Sequence, residues 1–224
     1  MNNQIAVAIL YLFAISFLLI FNELIYRRLG LKGEITRKFA HFTATLSTVT
    51  FPYLFTEHWY VLVLAVAFFI ILFISRNGTQ LKSIHDIGRK SVGSYLLPLS
   101  IYLTFLISNM LDNKFLYILP IIILAVCDPM AGILGIHIKK NNHKIDILGI
   151  ETKKTVLGSG SFLLSSFIIS IIALYFNRMV FDLKTFWLAL AIAVVATFAE
   201  LLSWRGSDNI FIPMSVIAMM ILFL

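Results

Sequence analysis

Apolar and polar positions alternate along the chain in long blocks. Apolar segments lie near 5–25, 39–56, 58–75, 95–111, 115–138, 156–176, 185–203 and 210–224, with short polar connections between them. A helix rises ~1.5 Å per residue, so about 20 mostly apolar residues cross the hydrocarbon layer of a bilayer. The pattern predicts an all-α polytopic membrane protein of about eight transmembrane helices, with seven to nine compatible with the segment boundaries. The second, fourth and last segments are short or carry several Thr and Ser, which suits a tilted or partly re-entrant course. Arg27 and Arg28 follow the first segment where a cleavage site would need small residues, so it reads as a retained span. No repeat, low-complexity stretch or long linker divides the chain, and residues 1–224 read as one membrane domain.

Composition removes the soluble alternatives. Hydrophobic residues make up 60% of the 224 positions and charged residues 13%, and mean hydropathy is +0.94. Soluble domains sit nearer ~45–50% apolar and ~25% charged, because their surfaces need polar cover. Cys127 is the one cysteine, so no internal disulfide can form.

The charge distribution sets an orientation. Arg27, Arg28, Lys32, Arg37 and Lys38 occupy the first connection, and Arg76, Lys82, Arg89 and Lys90 the third. Lys139, Lys140, Lys144, Lys153 and Lys154 occupy the fifth, and Arg205 the seventh. The intervening connections hold only Lys114, Arg178 and Lys184, so fifteen basic residues face three. By the positive-inside rule the richer side is cytoplasmic and both termini lie outside. The formal charge of +7 therefore reads first as orientation and second as an anionic partner, and no nucleic-acid partner is expected.

Ionisable groups within the apolar blocks are costly, at about 2.5–3.5 kcal/mol each for Asp, Lys or Arg at a helix centre. Glu23, His41, Asp128 and Glu200 are the exceptions that need a reason. Arg37, Lys38 and His41 share a helical face at i, i+3 and i+4 spacing. Asp128 is the deepest, and Pro129, Gly132 and Gly135 follow it. Proline removes a backbone hydrogen bond and small residues let helices approach, which is how a polar pocket opens at depth. With the orientation above, all four groups lie in the cytoplasmic half or near the middle. A transporter would instead line a path open alternately to both sides.

The segment Lys153-Lys154-Thr155-Val156-Leu157-Gly158-Ser159 leads into the sixth span. Lysines, a hydroxyl and small residues at a helix N-terminus suit a phosphate, through free N–H groups and the helix dipole. The same residues also read as orientation lysines followed by packing Gly and Ser. No Walker A loop exists in the chain.

Five segments in order carry a resemblance. They are Arg37-Lys38-Phe39-Ala40-His41 (R-K-x-x-H), Arg89-Lys90-Ser91 through Leu99, and Asp128-Pro129-Met130-Ala131-Gly132-Ile133-Leu134-Gly135 (D-x-x-A-x-x-x-G). Lys154-Thr155-Val156-Leu157-Gly158-Ser159 (K-T-x-E-G-S) and Glu200-Leu201-Leu202-Ser203-Trp204-Arg205-Gly206-Ser207-Asp208-Asn209 (E-x-x-S-x-R-G-x-D-N) complete the set. Over roughly 34–213 the chain resembles the CTP-dependent lipid-alcohol kinases, the family of phytol kinase, dolichol kinase and yeast-type diacylglycerol kinase. Its short length is nearer the phytol kinase and bacterial members, which implies a bacterial plasma membrane. Two positions depart from the family pattern. Cys127 stands where a Gly is expected, and Leu157 replaces the acid of K-T-x-E-G-S, with Glu151 a candidate substitute.

The resemblance implies transfer of the γ-phosphate of CTP, with Mg²⁺, to the hydroxyl of a polyprenol, phytol-like alcohol or diacylglycerol at the cytoplasmic face. It implies that Lys153, Lys154, Thr155 and the N–H groups of Gly158 and Ser159 hold the triphosphate, helped by Arg37, Lys38 and Arg205. Asp128 would bind Mg²⁺ or accept the hydroxyl proton, with His41 and Glu200 as further candidates for base or metal ligand. Pro129, Gly132, Gly135, Asp208 and Asn209 would support the site. The alternatives are a CTP:phosphatidate cytidylyltransferase-like enzyme and a non-enzymatic small transporter or lipid-binding membrane protein.

Overall fold

In the computed structural model, which describes residues 2–30, 33–76, 81–85, 92–138, 142–147 and 150–223, the apolar blocks are helices. They run α1 (Asn2–Leu29), α2 (Gly33–Ser47), α3 (Phe51–Leu54), α4 (His58–Ser75), α5 (Lys82–His85), α6 (Gly93–Met110) and α7 (Phe115–His137). A two-stranded antiparallel hairpin, β1 (Lys144–Ile147) and β2 (Ile150–Thr155), precedes α8 (Val156–Arg178), α9 (Leu183–Leu202) and α10 (Asp208–Phe223). Among the described residues, α1 from Asn3, α4, α7, α8 and α9 are long and apolar enough to cross a membrane. The chain is thus an α-helical membrane protein, with one small hairpin that the periodicity did not announce.

The second apolar block, 39–56, is not a single rod. Helix α2 ends at Ser47, a 3₁₀ turn covers Thr48–Thr50, and Pro52 sits in the first turn of α3. Hydroxyls at Thr43, Ser47, Thr48 and Thr50 bond back to carbonyls three or four residues earlier. Such back-bonding competes with the helical ladder and bends it. Helix α10 has 16 residues, about 24 Å at the helical rise, which is short of the ~30 Å hydrocarbon layer.

Helix α7 organises the bundle, since 56% of its apolar window is buried against only 11% for α1. One face of α7, with Tyr117 and Ile121, joins a core built from α1, α2, α3, α4 and α6 that includes Leu19, Phe51, Phe68 and Phe105. The opposite face, with Leu119, Ile123 and Cys127, joins a second core with Phe162, Ile192 and Val216 of α8, α9 and α10. A helix apolar all round is one that packs on all sides, and α7 is that helix here. Outside both cores, Phe13, Phe17, Val63, Ile74, Leu164 and Phe198 stay exposed. Their exposure is what a lipid-solvated belt requires.

The Lys38–Asp128 and Lys154–Glu200 ion pairs

Helix α2 lies against α7 so that Lys38 Nζ stands 2.7 Å from both carboxylate oxygens of Asp128 and 3.3 Å from its backbone oxygen. Both side chains are buried. Gly132, one turn further along α7, is the slot that admits the lysine: a Cβ there would lie 2.6 Å from Lys38 Cε. The glycine read as helix packing therefore serves a side chain instead.

His41, on the next turn of α2, places Nε2 3.2 Å from the carbonyl oxygen of Leu124 and 3.6 Å from Asp128 Oδ2. Both neighbours are acceptors, so Nε2 carries the ring proton and Nδ1 keeps the lone pair. Pro129 has no N–H to give the carbonyl one turn back. The carbonyls of Leu124 and Asp128, on either side of the Ala125 carbonyl that Pro129 leaves without its helical donor, accept from His41 and Lys38.

A second ion-pair group sits at the start of α8. Lys154 Nζ is 2.5 Å from Glu200 Oε1 and 3.5 Å from Asp208 Oδ2. Ser159 Oγ donates to the other Glu200 oxygen at 3.3 Å. Burial disfavours the charged lysine, but the carboxylates of Asp208, Glu200 and Asp128 outweigh it and raise the ammonium above its usual value. Asp128 and Asp208 also act on Arg37, whose guanidinium is forked across Glu34. Carboxylates of each group thus act on cations of the other, and the two form one electrostatic unit.

Small residues bring α8 against α7. A Cβ at Gly135 would meet Thr155 Oγ1 at 2.8 Å, and one at Gly158 would meet the Ala131 carbonyl and Thr155 Oγ1 at 3.0 Å each. Here the small-residue spacing does serve helix contact. The expected phosphate cradle is different from its sequence reading. Val156 N–H donates to the His143 carbonyl, Leu157 N–H to Asn142 Oδ1 and Gly158 N–H to Thr155 Oγ1. The Ser159 N–H falls on the turn where the helix ladder itself begins. Thr155 is a helix cap, and the α8 N-terminus has spent its donors within the protein.

Asn209 ties the start of α10 to α6, with Nδ2 donating to the Gly93 carbonyl at 2.6 Å. Arg205 lies in the preceding turn with φ +51°, exposed, and its carbonyl accepts the Val92 N–H at 2.8 Å. Glu23 stands apart from this cluster, bound to Arg27 and to the Ser83 N–H. Leu157 is exposed at the start of α8. The Arg89-Lys90-Ser91 motif lies outside the described residues, as do the side chains of Lys153 and Glu151.

No family model, curated protein or solved structure matches the chain.

The sequence did not signal Asn142 as a cap or Gly132 as a lysine slot. The hairpin was signalled only weakly: Lys144–Ile147 alternates polar and apolar residues, but Ile150–Thr155 holds a single apolar residue, Ile150. As for Mg²⁺, among the described residues no three His, Cys, Asp or Glu side chains group to hold an ion. Mg²⁺ is commonly held by one or two carboxylates together with substrate phosphates. Asp128, or Glu200 with Asp208, fits that shared kind of site and not a cage made by protein alone.

Proposed function

We propose that the chain is a lipid-alcohol kinase that transfers the γ-phosphate of CTP to the hydroxyl of a membrane alcohol at the cytoplasmic membrane face. The observation that carries this reading is the meeting of Lys38, Asp128 and His41 with Lys154, Glu200 and Asp208. Four stretches distant in sequence supply them, and the two groups act on each other electrostatically. A buried carboxylate, a histidine and paired cations at the foot of an apolar bundle suit a reaction between a charged donor and a greasy acceptor. Phosphoryl transfer asks chiefly for positioning and charge stabilisation.

On this reading the alcohol oxygen attacks the γ-phosphorus, the bond to the β–γ bridging oxygen breaks, and CDP leaves. The hydroxyl proton passes to His41 Nδ1, the ring atom with a lone pair. Asp128, beside Nε2, orients the ring and balances the imidazolium, the role a carboxylate plays beside a catalytic histidine. Lys38 and Lys154 supply positive charge next to the phosphates, by side chain and not by helix N–H groups. Mg²⁺ arriving with the nucleotide would neutralise charge on the β- and γ-phosphates, with Asp128 or Glu200 and Asp208 as its protein ligands.

The test is purified protein with γ-labelled CTP and a panel of phytol, geranylgeraniol, undecaprenol and diacylglycerol. Label in the lipid is the expected result. A CDP-lipid with release of pyrophosphate would instead mark a cytidylyltransferase. Absence of any lipid product would remove both enzyme readings and leave a transporter or lipid-binding protein.

A further inference from the structure

A cavity of about 90 Å³ lies between α1, α2, α4 and α6. Its polar end is formed by Arg37, His41, Ser94 and Asn209, and the rest of its wall is almost wholly apolar. It follows the chain from Arg37 in α2 to Thr48 in the 3₁₀ turn, and α4 from Leu72 back to Val61. Each stretch covers eleven residue steps, or about 16 Å of helix, roughly half the hydrocarbon layer. So small a volume over that length is one chain wide. The far end meets Phe51, Val61 and Ile101, all buried.

The wall toward α1 is thin. Among the described residues, Ile15 and Leu19 are the buried apolar side chains of α1, and both line the cavity. They stand four apart on one face, while the remainder of α1 is largely exposed. Displacing that single face would open the cavity sideways to the bilayer.

We infer that this cavity sheathes the hydrocarbon chain of a single-chain primary alcohol, with the hydroxyl at Arg37 and His41 and the chain end toward Phe51. The inference rests on the kinase reading for what happens to the hydroxyl, but chain binding stands or falls separately. The match is one of shape and polarity. The apolar length takes methylenes without stranding polar groups, and burying each contributes about 0.8 kcal/mol. The polar end presents a guanidinium, an imidazole and an amide to one hydroxyl, beside the Asp128 pair. A second acyl chain has no room, so the cavity selects single-chain alcohols over diacylglycerol. Its closed end sets how much chain is enclosed.

The experiment uses the full chain in nanodiscs with dodecanol carrying a diazirine at the carbon farthest from the hydroxyl. Irradiation and peptide mapping should place the label on residues near Phe51, Val61 and Ile101. Ala65→Phe, or Ala44→Phe from the α2 side, narrows the cavity midway. Either should cut this labelling about tenfold, equivalent to ~1.4 kcal/mol of binding, while octanol bearing the same group continues to label the polar end. Retained octanol labelling shows that the variants fold. Label confined to the exposed belt, labelling unchanged in both narrowed variants, or equal labelling by a diacylglycerol probe would overturn the inference. Deep labelling by dodecanol without phosphorylation of any alcohol would uphold the cavity and remove the kinase reading.

Discussion

Lys38 Nζ on α2 reaches ninety positions along the chain to stand 2.7 Å from each carboxylate oxygen of Asp128 on α7. A buried pair deprived of one partner leaves an uncompensated charge and costs about 3–5 kcal/mol, whereas replacing both with apolar residues of similar volume costs far less. Lys38→Met and Asp128→Leu should therefore each lower the thermal midpoint in detergent markedly, and the double variant should recover most of the loss. Phosphorylation should not recover with it. Additive losses in the double variant would show that the two residues do not act as a pair.

Gly132 should not tolerate even a methyl group. A Cβ there would lie 2.6 Å from Lys38 Cε, and the lysine cannot simply swing aside because Asp128 holds its end. Gly132→Ala is expected to cost about 1–3 kcal/mol, the usual range for overpacking. Combining it with Lys38→Met should make the two losses less than additive, since the clashing side chain is already altered. Thermal midpoints of the four proteins in that cycle decide the matter.

What the sequence made legible was mainly what local spacing controls. Arg37 and His41 at i, i+4 line one cavity, and Lys38 and His41 at i, i+3 both approach Asp128, as the helical period requires. The apolar blocks became helices for the same reason. Partners across the bundle were not legible. Nothing near position 38 shows that its ammonium meets Asp128, because helix packing in three dimensions decides that. The residue types of the Lys154–Thr155–Gly158 segment suit a phosphate cradle, orientation lysines with packing glycine, and a helix cap equally well. Only the positions of His143, Asn142 and Thr155 reveal that its N–H groups are taken. The sequence likewise carries no sign that α1 touches the bundle mainly through one face.

The α7–α8 contact predicts a graded response at Gly158. A Cβ would meet the Ala131 backbone carbonyl at 3.0 Å, and a carbonyl in a packed helix cannot rotate away as a side chain can. Gly158→Ala should push the helices apart and lower stability by about 1–3 kcal/mol. Gly160, whose Cβ would meet nothing within 4 Å, is the internal control. Gly160→Ala should be neutral or gain a few tenths of a kcal/mol, since alanine favours a helix by up to ~1 kcal/mol over glycine. Equal losses at both positions would contradict the close approach.

Lys154 gives a prediction with a sign in pH. Its ammonium is raised above the usual value because Asp208, Glu200 and Asp128 outweigh the burial that opposes it. A basic group raised on folding contributes its full stability below the unfolded value, about 10.4 for lysine, and loses it as pH climbs through the folded value. The difference in thermal midpoint between the protein and Lys154→Gln should therefore stay level between about pH 6 and pH 9, then shrink above about 10.4. Lys154→Arg, whose guanidinium stays charged throughout, should remove the alkaline decline if it reaches the same carboxylates. A difference that already fades between pH 7 and 9 would mean that Glu200 and Asp208 do not hold the lysine. Catalysis should follow a separate course: Lys154→Ala should raise KM for CTP more than it lowers kcat, whereas Asp128→Asn should chiefly lower kcat. The reverse order would exchange the two roles, leaving Lys154 at the reacting centre and Asp128 in nucleotide binding.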